Sequence, residues 1–119
     1  MIPESYCHDS SEEKLFAKYC DYLLAKAFAE QGIRDGVQVN SIIPGPVMTA
    51  RRRSFMEKWA PAHNMSVEQA MKQFPEQVEI SRYGQPEEIA DLLAFMVSPA
   101  AKWMTGTSVR MDGGEIKGI

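Results

Sequence analysis

Between Gly36 and Thr49 the chain reads Gly-Val-Gln-Val-Asn-Ser-Ile-Ile-Pro-Gly-Pro-Val-Met-Thr, a stretch that leaves little choice of structure. Val37, Val39, Ile42 and Ile43 supply the β-branched content of a buried strand, and Pro44-Gly45-Pro46 stops it abruptly. Proline fixes its own φ and has no amide to give a ladder, so two of them around a glycine make a rigid turn. A hydroxyl, Thr49, follows the turn. Open α/β sheets place ligand-contacting groups just outside the carboxyl ends of their strands. The stretch therefore predicts a strand and, at its end, the edge of a binding site.

The elements on either side follow from local signals. Ser10 with Glu13 three residues on is a capping-box pattern, so a helix is expected from Ser10 or Ser11. Phe16, Cys20, Leu23, Leu24 and Ala27 fall on its apolar stripe, and Gly32 suits its C-terminal end. Beyond Thr49, helices are expected over about Ser54–Trp59 and over Ser66–Phe74, with Ser66 as N-cap and Pro75 after the end. Pro86 at a first helical position, then Glu87 and Glu88, predict a further helix with Ile89, Leu92, Leu93 and Met96 on its apolar stripe. Thr107 to Met111 alternates as a short strand, and Asp112-Gly113-Gly114 turns. Residues 1–10 read as an irregular lead-in. The order helix, strand, helical excursion, helix, strand implies an α/β fold with about two parallel strands and three to four helices. Two strands alone leave both sheet edges open, so the expectation is one domain over 1–119 that represents part of a doubly wound fold.

Composition excludes several classes. A net charge of −3 argues against a dedicated nucleic-acid binder, which carries a basic excess. No apolar run approaches a bilayer-spanning length, and the first residues, with Glu4, His8 and Asp9 and no apolar core, are not expected to act as a signal peptide. Cys7 and Cys20 form no CxxC pair, so free thiols in a reducing cytoplasm are the default. His8 with Cys7, Asp9 and Cys20 offers metal-ligand types without metal-site spacing, and no metal is expected.

Four blocks carry a resemblance. They are Ala25-Lys26-Ala27-Phe28-Ala29-Glu30 with Gly32-Ile33; Val39 through Thr49; Arg82-Tyr83-Gly84-Gln85-Pro86-Glu87-Glu88-Ile89-Ala90; and Thr105-Gly106 leading to Asp112-Gly113-Gly114. In this order and spacing, over roughly residues 14–114, they resemble the C-terminal half of the short-chain dehydrogenases/reductases. The resemblance implies a Rossmann-type fold whose N-terminal βαβ units have no counterpart here. It implies hydride transfer between NAD or NADP and a small alcohol or carbonyl substrate. It also implies a homo-oligomer, and a variable lid over the substrate within residues 50–81. In the family, a tyrosine acts as acid/base, a lysine four residues later lowers its pKa and holds the nicotinamide ribose, and the Pro-Gly turn lines the nicotinamide. Pro44, Gly45, Val47 and Thr49 match that wall.

The Tyr-x-x-x-Lys motif is ambiguous. Tyr22 and Lys26 have the spacing, but the family's distance to the asparagine matched by Asn40 points to Lys18 as the motif lysine, about two helical turns before Lys26. Lys14, not tyrosine, then stands four residues earlier, and Tyr22 becomes a packing residue and the alternative catalytic reading. The resemblance thus implies an NAD(P)-dependent oxidoreductase present as a truncated chain that is inactive alone. The competing expectation is a non-catalytic oligomerisation or interaction module derived from the same fold.

Arg51-Arg52-Arg53 has the bidentate chemistry to clamp a phosphate or a substrate carboxylate; a solvated basic loop is the plainer reading. His63 reads as a surface histidine. Met48, Met56, Met65, Met71, Met96, Met104 and Met111 read mainly as gap-filling core or pocket residues. Phe55, Met56 and Trp59 suit an apolar pocket or simple packing equally.

Overall fold

The computed structural model describes the backbone of residues 11–118 and the side chains of residues 19–118. The expected cap at Ser10 and the stripe position Phe16 lie outside that description, as do the side chains of Lys14 and Lys18. The elements are α1 (Ser11–Gly32), β1 (Ser41–Pro44), α2 (Ala50–Ala62), α3 (Val67–Gln77), α4 (Pro86–Met96) and β2 (Ser108–Met111), with single 3-10 turns at Ile33–Asp35 and Pro99–Ala101. The two strands pair in parallel as a two-stranded sheet, as the α/β order predicts. The chain divides into two compact units, one of residues 1–41 with 103–108 and one of residues 42–102 with 109–119.

The first unit joins α1 to a stitched pair of extended segments. Ser41 N–H donates to Thr107 O at 2.9 Å and Gly106 N–H to Val39 O at 2.7 Å. Side chains repeat the pairing. Asn40 spans the joint, its Nδ2 donating to Met104 O at 2.9 Å while its Oδ1 accepts from Thr107 N–H at 3.1 Å. Gln38 Nε2 also donates to Met104 O, at 2.7 Å. The strand therefore begins at Ser41, later than the β-branched Val37 and Val39 suggest, because Gln38 and Asn40 use side-chain amides to do what a ladder does further on.

The apolar stripe expected on α1 is not the buried one. Leu23 is 71% exposed, Leu24 55% and Phe28 52%, whereas Ala29 is 2% exposed. Burial follows Tyr22, Ala25, Ala29 and Gly32, a helical stripe of small residues with one aromatic. Its neighbour explains the size: a Cβ on Gly106 would stand 3.4 Å from Ala29 Cβ and 2.9 Å from Lys26 Nζ, so bare backbone lies against this face.

The second unit holds the chain's main core. Met56, Ala60, Ala70 and Tyr83 are buried, and Met48, Phe55, Trp59, Met65, Val67, Met71 and Phe74 pack against them. This assigns Phe55, Met56 and Trp59 to packing. Burial of Met56 and Met96, and packing of Met48, Met65 and Met71, agree with the gap-filling role of methionine.

Both central helices outrun their sequence boundaries. The helix expected from Ser54 starts at Ala50, because Thr49 caps it, its Oγ1 accepting from Arg52 N–H at 3.2 Å. Arg51-Arg52-Arg53 is thereby the first turn of a helix and not a basic loop. In α3 the predicted cap is found: Ser66 Oγ accepts from Gln69 N–H at 3.1 Å and Gln69 Oε1 from Ser66 N–H at 2.9 Å. That helix runs past Pro75 to Gln77. The proline sits in the last turn, where the one forfeited bond is offset by burying its ring. Helix α4 keeps its predicted bounds, with Met96 buried and Leu93 50% exposed.

Candidate functional site

The turn after β1 is set by one close approach. Gly45 N–H donates to Met111 O at 3.0 Å, and a Cβ built on Gly45 would fall 2.5 Å from Asp112 Cα and 2.6 Å from its Cβ. Only a residue without a side chain lets the two backbones touch here. Opposite them, Asp112 orders its own turn, its carboxylate accepting from Gly114 N–H at 2.9 Å and Ile116 N–H at 3.1 Å. Loss of hydration pushes the Asp112 carboxyl up, but those amides and the Arg110 charge outweigh it and hold it below its ordinary value.

Past Pro46 the chain forms a parallel bridge, Val47 to Gly84. Gly84 N–H donates to Pro46 O and Met48 N–H to Gly84 O, both at 2.9 Å. In such a bridge the central residue turns its own amide and carbonyl to the other side. Val47 O takes Thr49 N–H at 3.0 Å, and Val47 N–H has no acceptor among the described residues. Thr49 is exposed, and its hydroxyl oxygen, which accepts from Arg52 N–H, keeps a second lone pair to accept from a ligand. A free amide donor and a hydroxyl two residues apart suit a planar primary amide, which presents one acceptor and two donors. The residues fit the nicotinamide end of NAD or NADP in that respect.

The loop that holds Gly84 is clamped from below. Arg82 grips Glu88 in a two-pronged pair, Nη1 to Oε2 at 2.8 Å and Nη2 to Oε1 at 2.7 Å. Arg82 Nη1 also donates to Tyr83 O at 3.0 Å, and Glu88 Oε2 accepts from Gln85 N–H at 2.7 Å. The Arg82 hydrogen bond first, then the Gln85 amide, lower the Glu88 carboxyl to about 2. A cavity of about 120 Å³ opens beside this clamp, between Val47, Gly84, Glu88, Ile89 and Asp112.

Of the residues singled out in the sequence, Pro44, Gly45, Val47 and Thr49 come together in the second unit. Lys18 lies on α1 with its side chain outside the described residues, and Tyr22 is half-buried on the same helix. His63 is exposed, yet its ring stacks on Trp59 at 4.0 Å and its Nδ1 meets Trp59 O at 2.9 Å. Cys20 is an exposed free thiol. Two further features emerge only in three dimensions. One is the Arg82–Glu88 clamp, whose six-residue spacing is not a helical pair. The other is Arg52, whose side chain lies over the rings of Phe74 and Tyr83.

Known proteins align with the chain across most of it. The family model described as enoyl-(acyl carrier protein) reductase matches residues 16–115. An acetoacetyl-CoA reductase of Rhizobium meliloti is 34% identical over 99 residues, covering 83% of this chain and 37% of the relative. An uncharacterized oxidoreductase of Bacillus subtilis is also 34% identical, over 100 residues and 38% of its own length. Among solved structures, a short chain dehydrogenase family protein from Francisella tularensis superposes with a TM-score of 0.76 at 32% identity, covering 84% of this chain and 41% of that one. An L-sorbose reductase from Gluconobacter frateurii, complexed with NADPH and L-sorbose, superposes at 0.80 with 24% identity, a likeness of fold. The chain thus spans somewhat over a third of the length of the relatives it matches.

Proposed function

Because the chain belongs to the short-chain dehydrogenase/reductase family, matched over residues 16–115, we propose that it carries the nicotinamide-side wall of an NAD(P)-dependent oxidoreductase acting on a small alcohol or carbonyl compound. The Val47–Gly84 bridge carries this reading, since it leaves Val47 N–H without an acceptor among the described residues and the Thr49 hydroxyl in reach of solvent. The cofactor, when bound, supplies or accepts the hydride. Pro44 and Gly45 shape the wall, Val47 N–H donates to the carboxamide oxygen, and the Thr49 hydroxyl oxygen accepts from the carboxamide N–H. On α1, Lys18 takes the place of the motif lysine, with Tyr22 as the alternative acid/base. Lys14 standing in the tyrosine's place leaves the family's proton relay without its donor, so the isolated chain is inactive.

A second reading has an observation of its own. Tyr19, Leu23, Leu24, Phe28 and Ile33 are each more than half exposed on α1 and the turn after it, an apolar face of the kind that drives self-association. On that reading the chain is a non-catalytic oligomerisation module.

Nuclear magnetic resonance titration with nicotinamide mononucleotide separates the two. The expected result is weak, saturable binding that shifts the Val47 amide resonance, is lost in Thr49→Val and is retained in Thr49→Ser. Shifts confined to other residues, or none, overturn the wall. Micromolar binding of whole NAD(P)H by the isolated chain overturns its proposed incompleteness, and light scattering of a stable monomer removes the oligomerisation reading.

A further inference from the structure

Three observations in the second unit converge on one cluster. The first turn of α2 carries Arg51, Arg52 and Arg53 and no acidic residue. A helix N-terminus bears partial positive charge and favours carboxylates, so three cations there are misplaced for stability. Arg52 alone packs inward. Its guanidinium carbon lies 4.8 Å from the Phe74 ring centre and 5.2 Å from that of Tyr83, two rings stacked 5.8 Å apart. Arg52 Nε is sealed from solvent with no hydrogen-bond partner among the described residues, and so is the hydroxyl of Tyr83, a residue 6% exposed. The ion pairs among the described residues are Arg82–Glu88 and Lys117–Glu79, and neither includes Arg52.

Folded proteins rarely leave enclosed polar groups unpaired. The aromatic faces hold the Arg52 cation in place but accept none of its hydrogen bonds. An oxyanion does. A carboxylate or phosphate accepts from the guanidinium fork and from a phenolic O–H together, and it lies favourably against the positive end of α2.

We propose that Arg52 and Tyr83, braced by Phe74, form an oxyanion-binding site that takes an acidic group of the substrate. Thr49 ties this site to the wall, since its hydroxyl accepts from the amide of Arg52 itself. The inference rests on the proposed function and narrows it: the substrates are carbonyl or alcohol compounds that also bear a carboxylate or a phosphate. Tyr83 also lines a cavity of about 200 Å³, in which Lys72 and Glu76 oppose one another in sign. Arg82 lines it too, with its charge engaged by Glu88.

Titration of the full chain by calorimetry with inorganic phosphate, and separately with acetate, tests the site at fixed ionic strength with chloride as reference. Saturable binding of at least one is expected, and the tighter of the two tells phosphate from carboxylate. Arg52→Gln weakens it about tenfold and Arg52→Lys less, while Arg53→Gln, which removes the same charge, stays within about twofold. Tyr83→Phe weakens it at least about threefold while thermal stability holds or rises, because an unpaired buried hydroxyl is removed. Equal losses from Arg52→Gln and Arg53→Gln would reduce the effect to general charge. An unchanged affinity in Tyr83→Phe, or no saturable binding, overturns the site. These titrations contain no nicotinamide. Anion binding without any Val47 shift by nicotinamide mononucleotide therefore defeats the wall and keeps this site, and the converse defeats this site alone.

Discussion

At the scale of single residues, the wall depends on an absence. Gly45 is required because Asp112 backbone and Cβ occupy the space where any side chain would begin. Gly45→Ala is expected to destabilise the chain by about 1–3 kcal/mol or more, since backbone atoms yield less readily than side-chain ends. Urea denaturation measures this, and a midpoint equal to that of the parent would mean the turn relaxes freely. The glycine was legible in the sequence as part of a Pro-Gly-Pro stop, but its reason was not, because its neighbour lies 67 residues away by numbering. Thr49 shows the reverse case. Its place beside the turn suggests a ligand contact and gives no sign of its work as a cap, so in sequence the three arginines after it resemble a loop.

At the scale of elements, local chemistry was readable where both ends of an interaction lie within one turn. The Ser66–Gln69 capping box and the Pro86 start of α4 are of this kind. Pro75 was misread as a stop because a proline in a last turn loses a single bond, and that loss is small beside the burial of its ring. The stripe on α1 was misread because hydrophobicity marks what a helix can bury, while the neighbour it meets here is bare glycine backbone. The Arg82–Glu88 clamp had no sequence signal, and it carries a pH signature. Arg82 and then the Gln85 amide hold the Glu88 carboxyl at about 2, well below its ordinary range. A folded-state value below the unfolded one stabilises the charged form. The contribution is complete above the ordinary carboxylate range and is lost as pH falls from there toward 2. Thermal melting of the parent is therefore expected to fall more steeply than that of Glu88→Gln between about pH 6 and about pH 3, the two curves converging in stronger acid. Parallel curves would mean that the clamp adds nothing to the loop.

At the scale of the whole molecule, the family was legible because its motifs are contiguous, and the substrate-facing cluster was not, because Arg52, Phe74 and Tyr83 meet only after α2 and α3 have packed. The same contrast between near and far sets an order of assembly. The core of the second unit joins helices neighbouring in sequence, whereas the hydrogen bonds of Gln38, Val39 and Asn40 reach across 64 to 67 positions to Met104, Thr105 and Thr107. Closing so long a loop costs chain entropy before any bond repays it. In pulse-labelled hydrogen exchange, the amides of α2 and α3 are expected to gain protection before those of Val39 and Gly106, and simultaneous protection would refute this order. On a growing polypeptide the consequence is a wait: the side-chain amide of Asn40 stays without these partners until the ribosome has added the 64 residues that reach Met104 and the 67 that reach Thr107.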